Sequence, residues 1–99
     1  MISYERFKEL CESIGLVECY RNNTGFIFFS FSFGDFTKED CAVYFEKWGM
    51  RVCSILDEYN IGCWEFEECD LLPRFQMLKK EINQIKMDYK MERMKEDFV

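Results

Sequence analysis

The sequence predicts an α+β fold in which a small three-stranded sheet packs against helices in the order α-β-β-α-β-α, with a long C-terminal helix. Three observations predict it. Residues 26–33 are rich in phenylalanine and apolar on both faces of a strand, as in an interior strand of a covered sheet. Residues 38–59 and 74–99 carry apolar side chains at helical spacing. The length of 99 residues suits one ordinary domain, so we expect residues 1–99 to form a single domain.

The first third of the chain predicts a helix followed by a β-hairpin. Ser3 is a typical N-cap, apolar residues follow at helical spacing, and Gly15 supplies a stop, so the helix should span residues 3–14. Residues 16–21 predict a short strand. An Asn-Asn-Thr-Gly turn then leads into the phenylalanine-rich strand, and we expect the two strands to pair antiparallel.

The middle of the chain predicts a long helix and a third strand. Thr37 can cap a helix, and apolar residues continue at three- and four-residue spacing over about residues 38–59, despite Gly49. Residues 62–68 alternate between apolar and polar side chains, as in a strand with one wet face. A helix between two strands is a crossover connection, so the second and third strands should run parallel, with the second strand in the middle.

The last helix is predicted from Asp70, a typical N-cap, with Pro73 in its first turn, where a missing amide is harmless. Because an uninterrupted helix over residues 74–99 would be roughly 40 Å long, we expect residues 87–99 to project as a helical extension. A second apolar stripe on this extension, called the methionine stripe below, consists of Met87, Met91, Met94 and Phe98.

Composition excludes several classes of function. The chain has no histidine, and its six cysteines form no Cys-x-x-Cys pair, so we expect neither a zinc site nor an activated cysteine nucleophile. We therefore expect no enzyme, no metal and no cofactor. The longest apolar run is far shorter than the roughly 20 residues of a membrane helix, and no export signal is present. These features predict a soluble, cytoplasmic protein whose cysteines are reduced.

The formal charge of −6 is unevenly distributed along the chain. Residues 1–73 hold six basic and fourteen acidic residues, whereas residues 74–99 hold seven basic and five acidic ones. Between Arg51 and Arg74 every charged residue is acidic, and these residues form what we call the acidic band: Asp57, Glu58, Glu65, Glu67, Glu68 and Asp70. Nucleic-acid binding needs cations that face phosphates, so we expect no direct binding of nucleic acid.

Two functions remain open from the sequence. In the first, the chain is a non-catalytic protein-binding module and forms a homodimer; it is a small acidic inhibitor whose acidic band occupies the basic, nucleic-acid-binding surface of a partner protein. By analogy of size and charge only, it is similar to phage and mobile-element inhibitors such as anti-CRISPR proteins. In the second, the acidic band is a solvated face, and the chain is a structural or assembly protein that forms a homodimer through the methionine stripe.

Overall fold

The computed structural model describes the backbone of residues 1–97 and the side chains of residues 1–92. Within them, two helices and four strands follow one another in the order α-β-β-β-β-α. They are α1 (Tyr4–Ser13), β1 (Val17–Arg21), β2 (Ile27–Phe33), β3 (Phe36–Phe45), β4 (Gly49–Val52) and α2 (Glu68–Asp97). The strands form one antiparallel sheet in the order β1-β2-β3-β4. The α+β class and the long C-terminal helix are therefore confirmed.

The predicted first helix and the hairpin that follows it are also confirmed. α1 begins after Ser3, whose hydroxyl accepts a hydrogen bond from the Arg6 amide at 3.2 Å. β1 and β2 pair antiparallel. In the turn between them, the side-chain oxygen of Asn22 accepts hydrogen bonds from the amides of Thr24 and Phe26, both at 3.0 Å. The turn residues thus fix the hairpin by local hydrogen bonds.

The predicted helix over residues 38–59 is wrong, because this stretch forms the β3–β4 hairpin and a loop. The second half of β3 is buried on both faces, and its continuous apolar run fits helical spacing as well as strand spacing. At the start of β4, Gly49 has a φ of +103°, and a Cβ there would overlap the carbonyl oxygen of Glu65. A glycine in this left-handed region belongs to a turn, which ends any helix.

Residues 62–68 do not form the predicted third strand. Glu65 alone joins the sheet, through an antiparallel bridge in which it exchanges backbone hydrogen bonds of 2.7 and 2.8 Å with Met50. Glu68 already begins α2, two residues before the predicted cap at Asp70. The predicted parallel crossover is also wrong, because a tight hairpin joins β2 to β3. β2 does lie in the interior of the sheet, as predicted, between β1 and β3.

Both helices pack on one face of the sheet. Phe7 of α1 contacts Phe29 of β2 and Phe75 of α2, with ring centroids 5.5 and 5.9 Å apart. Farther along α2, the ring of Tyr89 lies 5.2 Å from that of Phe33. The rest of the buried cluster consists of Cys11, Leu16, Ile27, Phe31, Cys41, Ala42, Met50, Val52, Leu71, Leu78 and Ile82. Full burial of one large apolar side chain contributes about 1.5–3 kcal/mol, so this layer is the main source of stability.

The opposite face of the sheet carries no helix in the described residues, and we call it the open face. Its side chains alternate with those of the core, so Phe28 lies between Tyr20 on β1 and Val43 on β3. Val17 and Tyr20 on this face are 63% and 58% exposed. The prediction that β2 is covered on both faces is therefore wrong for the open face. Over the described residues, neither helix is long and apolar enough to span a membrane.

Candidate functional site

The structure divides the acidic band between two places. Asp57 and Glu58 lie in the loop after β4, and the other four residues precede α2 or lie in its first turn. Glu68 is already engaged, because its carboxylate accepts a hydrogen bond of 2.6 Å from Nε of Arg6. This bond is the main reason that the pKa of Arg6 is raised. Glu67 and Asp70 are exposed, whereas Glu65 is half-buried beside its bridge to β4.

Residues 54–61 form a compact loop, called the clamped loop below. Inside it, the Ser54 amide donates to the carbonyl of Asn60 at 2.8 Å, and the Asn60 amide donates to the carbonyl of Asp57 at 3.0 Å. The Asp57 carboxylate also accepts a hydrogen bond from the Tyr59 amide at 3.1 Å. These bonds satisfy backbone groups that an irregular segment would leave to water, and they give the loop a defined shape.

Two charged residues of α2 hold the clamped loop against the helix. The Arg74 guanidinium donates to the Val52 carbonyl at 2.9 and 3.1 Å, and to the side-chain and backbone oxygens of Asn60 at 2.8 and 3.2 Å. The Glu81 carboxylate accepts from the Ser54 hydroxyl at 2.5 Å and from the next two backbone amides at 3.0 and 3.3 Å. Charged groups make hydrogen bonds of about 1.5–3 kcal/mol, so the loop is held at two points.

The clamped loop exposes apolar side chains beside its carboxylates. Tyr59 is 88% exposed, and Leu56 and Ile61 are 57% and 48% exposed. Asp57 and Glu58 lie between the leucine and the tyrosine and are exposed as well. An exposed tyrosine on a fixed loop is a feature of protein-binding hot spots. The prediction from the sequence missed this surface because it extended a helix to residue 59 and expected only the following Asn-Ile-Gly to form a turn.

A groove of about 450 Å³ lies on the open face between β1 and β3, and we call it the β1/β3 groove. It forms where β3 contains two more residues than β2: Phe29 pairs with Ala42, but Phe31 pairs with Lys38. Such a bulge bends the strand and moves it away from its partner's regular path. The groove is lined by Cys19, Tyr20, Phe28, Thr37, Lys38, Glu39 and Asp40. No sequence pattern predicted it, because it depends on the register between strands.

An aromatic cluster covers the end of the open face nearest the β3–β4 turn. Phe26 and Phe45 stack with their ring centroids 4.0 Å apart. Trp48, which is 53% exposed, packs edge-on against both of them and lies 5.6 Å from Trp64. The guanidinium of Arg51 lies 5.5 Å from the centroid of a Trp64 ring, a cation–π contact. This cluster buries part of the sheet surface that the helices leave uncovered.

The methionine stripe is only partly described. Met87 and Met91 lie on α2 and are 59% and 58% exposed. The side chain of Met94 and the whole of Phe98 lie outside the described residues. The two described methionines therefore face solvent, on the stretch of helix that flanks Tyr89.

Three of the six cysteines are held in an unreactive form in the folded chain. Cys11 and Cys41 are buried, and burial raises the pKa of Cys41 to about 12 and that of Cys11 well above its usual range. Burial also raises the pKa of the half-buried Cys53. The thiolate is the nucleophilic form, so these three residues are poor nucleophiles. Among the side chains that the structure describes, no group of three or more Cys, Asp or Glu could hold a metal ion.

Three surface features of the described residues combine exposure with a distinct set of side chains: the clamped loop, the β1/β3 groove and the methionine stripe. The loop combines exposed apolar side chains with carboxylates, the groove combines rings with charged groups, and the stripe is apolar. No protein-family model, curated protein or solved structure matches this chain.

Proposed function

We propose that this chain is a non-catalytic protein-binding module, a small acidic inhibitor that occupies a basic, nucleic-acid-binding surface of a partner protein. The clamped loop carries the proposal, because it presents Tyr59 at 88% exposure next to carboxylates while Arg74 and Glu81 hold its backbone. A loop that is already ordered loses little conformational entropy on binding. The tyrosine ring supplies rigid contact area, as it does in many interface hot spots.

The carboxylates around the loop supply the attraction to a basic surface. Asp57 and Glu58 directly precede Tyr59 in the loop, and Glu67 and Asp70 add exposed charge near the start of α2. Such a field speeds association with a positively charged partner and weakens as salt rises. Glu68 contributes less, because Arg6 already neutralises it at 2.6 Å. The loop and the start of the helix are therefore the part of the acidic band that we expect to act.

Competition with nucleic acid tests this function. Purified nucleic-acid-binding proteins are each saturated with a fluorescent DNA duplex, and the chain is added while the anisotropy of the label is measured. We expect the chain to release the duplex from a partner at low salt. Tyr59→Ser should weaken release by about tenfold, because loss of a hot-spot side chain typically costs more than 1 kcal/mol. Asp57→Asn combined with Glu58→Gln should slow it.

The matched control removes the same charge elsewhere. Asp35 and Glu46 are exposed acids outside the clamped loop, so Asp35→Asn combined with Glu46→Gln changes the net charge equally. Asp57→Asn keeps the side-chain oxygen that accepts the Tyr59 amide, so the loop should retain its shape. If both double variants weaken release equally and Tyr59→Ser has no effect, net charge alone explains the competition, and the proposal fails.

A second candidate function, self-association as a homodimer, is favoured by the exposure of Met87 and Met91 on α2. Flexible methionine side chains adapt to a partner surface, and exposed apolar stripes often mark interfaces. Light scattering should give a dimer mass for the full chain and a monomer mass for Met87→Gln combined with Met91→Gln. Leu72→Gln, at a 41% exposed position of the same helix, is the control. A full chain that is already monomeric would rule this candidate out.

A further inference from the structure

We propose that the β1/β3 groove binds the guanidinium group of an arginine side chain presented by a protein partner. One wall of the groove is aromatic, with the rings of Tyr20 and Phe28 5.7 Å apart and inclined at 35°. Tyr20 is 58% exposed, so much of its ring is accessible to a ligand. The faces of aromatic rings carry negative potential and attract cations, most often arginine.

The other wall of the groove supplies negative charge and already attracts a cation. Glu39 and Asp40 line the groove, and the Asp40 side chain is 61% exposed. Lys38, on the same strand, places its Nζ 3.4 Å from Oδ1 of Asp40. The chain thus puts its own positive group in the groove. Exposed pairs of this kind are weak, worth about 0.2–1 kcal/mol, so a better-fitting cation can displace the lysine.

Arginine fits this combination of walls better than other side chains do. Its planar guanidinium stacks on rings and forms paired hydrogen bonds with a carboxylate, whereas an ammonium group is a compact, strongly hydrated charge. An apolar side chain would desolvate Asp40 and Lys38 without compensation, and an anion would be repelled by the Asp40 carboxylate. The same chain already places Arg21 5.0 Å from the centroid of the Tyr4 ring. Charge complementarity therefore selects a cation as the occupant, and ring stacking with paired hydrogen bonds selects arginine.

The inference rests on the proposed function for one point, that the arginine belongs to a protein. Its test needs no knowledge of that protein. The isotopically labelled chain is titrated with the capped peptide Gly-Arg-Gly and with the same peptide containing citrulline, which has nearly the same shape and no charge. We expect the arginine peptide to shift the backbone NMR signals of Cys19, Tyr20 and Glu39, and the citrulline peptide to bind at least threefold more weakly.

Variants of the groove give changes in opposite directions. Asp40→Asn should raise the dissociation constant of the arginine peptide about threefold or more, because it removes one carboxylate. Lys38→Gln should lower it, because it removes the internal competitor of the ligand. Tyr20→Leu should raise it by removing the ring. Asp35→Asn, an exposed acid outside the groove lining, should leave it unchanged.

Several results would overturn the inference: no shifts at the groove, equal binding of the citrulline peptide, or tighter binding by Asp40→Asn. All four substituted side chains have exposed or half-buried positions, so we expect each variant to fold. The NMR spectrum of each variant without peptide checks this directly. Failure of the titration would leave the competition with DNA intact, because that assay is decided by variants of Tyr59 and its flanking acids. The two proposals can therefore fail separately.

Discussion

The buried thiols of Cys11 and Cys41 are residues whose chemistry is set by their surroundings. Both lie in the core between the sheet and the helices. Desolvation is the first cause of the raised pKa in each case, and it keeps both thiols protonated in the folded chain. In the unfolded chain, the same thiols would lose their protons near the ordinary value of about 8.5. Because the pKa of each thiol differs between the folded and the unfolded chain, the free energy of unfolding depends on pH.

We expect the free energy of unfolding to fall between about pH 9 and 11. In this range the unfolded chain binds fewer protons than the folded chain, so rising pH favours unfolding by about 1.4 kcal/mol per pH unit for each buried thiol. Urea denaturation across the range measures the slope. Cys41→Ala should reduce the slope, whereas Cys63→Ala, at an exposed thiol, should not. An unchanged slope in Cys41→Ala would show that other groups govern alkaline unfolding.

Gly49 combines a left-handed backbone conformation with a close approach to another segment of the chain. The residue has a φ of +103°, and its α-carbon faces the backbone of Glu65. Gly49→Ala should destabilise the fold by about 2 kcal/mol or more, since alanine is strained at positive φ and its Cβ would disrupt the bridge to Met50. Gly15→Ala is the control, because its φ is +98° but a Cβ there meets open space. If urea denaturation gives equal losses of stability for both variants, then backbone strain at positive φ alone destabilises Gly49→Ala, and the close approach to Glu65 adds nothing.

Among the elements, α2 both covers the sheet and organises the clamped loop. Leu71, Leu78 and Ile82 of this helix are buried in the core, while Arg74 and Glu81 bind the loop. A single helix therefore connects the source of stability to the candidate binding surface. Loops held in this way keep their shape without forming regular structure.

We expect Glu81→Gln to release one end of the clamped loop. Glutamine keeps only one acceptor oxygen, so it cannot accept all three hydrogen bonds from the Ser54 hydroxyl and the two backbone amides, and stability should fall by about 1–2 kcal/mol. The amide of Ile55 should exchange with solvent faster than in the unsubstituted chain, as hydrogen-exchange NMR can measure. Asp88→Asn removes the same charge from an exposed part of α2 and is the control. Unchanged exchange would show that Arg74 alone holds the loop.

Elements with local signals could be predicted, and elements that depend on distant pairing could not. Ser3 and Gly15 mark both ends of α1, and the turn after β1 marks the first hairpin. The apolar residues of 38–59 fit the periodicity of a helix as well as that of a strand. Pairing with β2 decides that the first part of this stretch forms a strand. The acids of the candidate site could be found from charge. The exposure of Tyr59 could not, because Arg74 and Glu81, which hold its loop, lie on a different element.

At the scale of the whole molecule, the sheet has two differently protected edges. The edge of β4 is partly occupied by the bridge to Glu65. The edge strand β1 has an irregular register between Glu18 and Tyr20, and it ends in the charged Arg21. Bulges and charges on edge strands oppose pairing with the sheet of another copy. Self-association, if it occurs, should therefore use side chains of α2 and not the backbone of the sheet.

We expect the body of the molecule to need α2 only as far as Tyr89. A chain that ends at Lys90 keeps the contact between Tyr89 and Phe33, at 5.2 Å, and should melt within a few degrees of the full chain. A chain that ends at Met87 loses this contact, and its midpoint should fall by about 4–8 °C for each kcal/mol lost. Thermal melting followed by circular dichroism compares the two. A large loss of stability in the chain that ends at Lys90 would show that residues 91–99 support the body.

The position of α2 after all four strands also determines when the protein can finish folding during its synthesis. A ribosome completes the sheet before it makes Leu71, Leu78 and Ile82, the side chains with which α2 completes the core that Phe7 of α1 begins over Phe29. At about 5–20 residues per second, the 22 residues from Glu68 to Tyr89 take roughly 1–4 s to add. During that time part of the apolar core face of the nascent sheet lacks its cover, and exposed apolar surface of this kind is what chaperones bind. Slow translation of this helix would therefore lower the yield of folded protein without any change in its final stability.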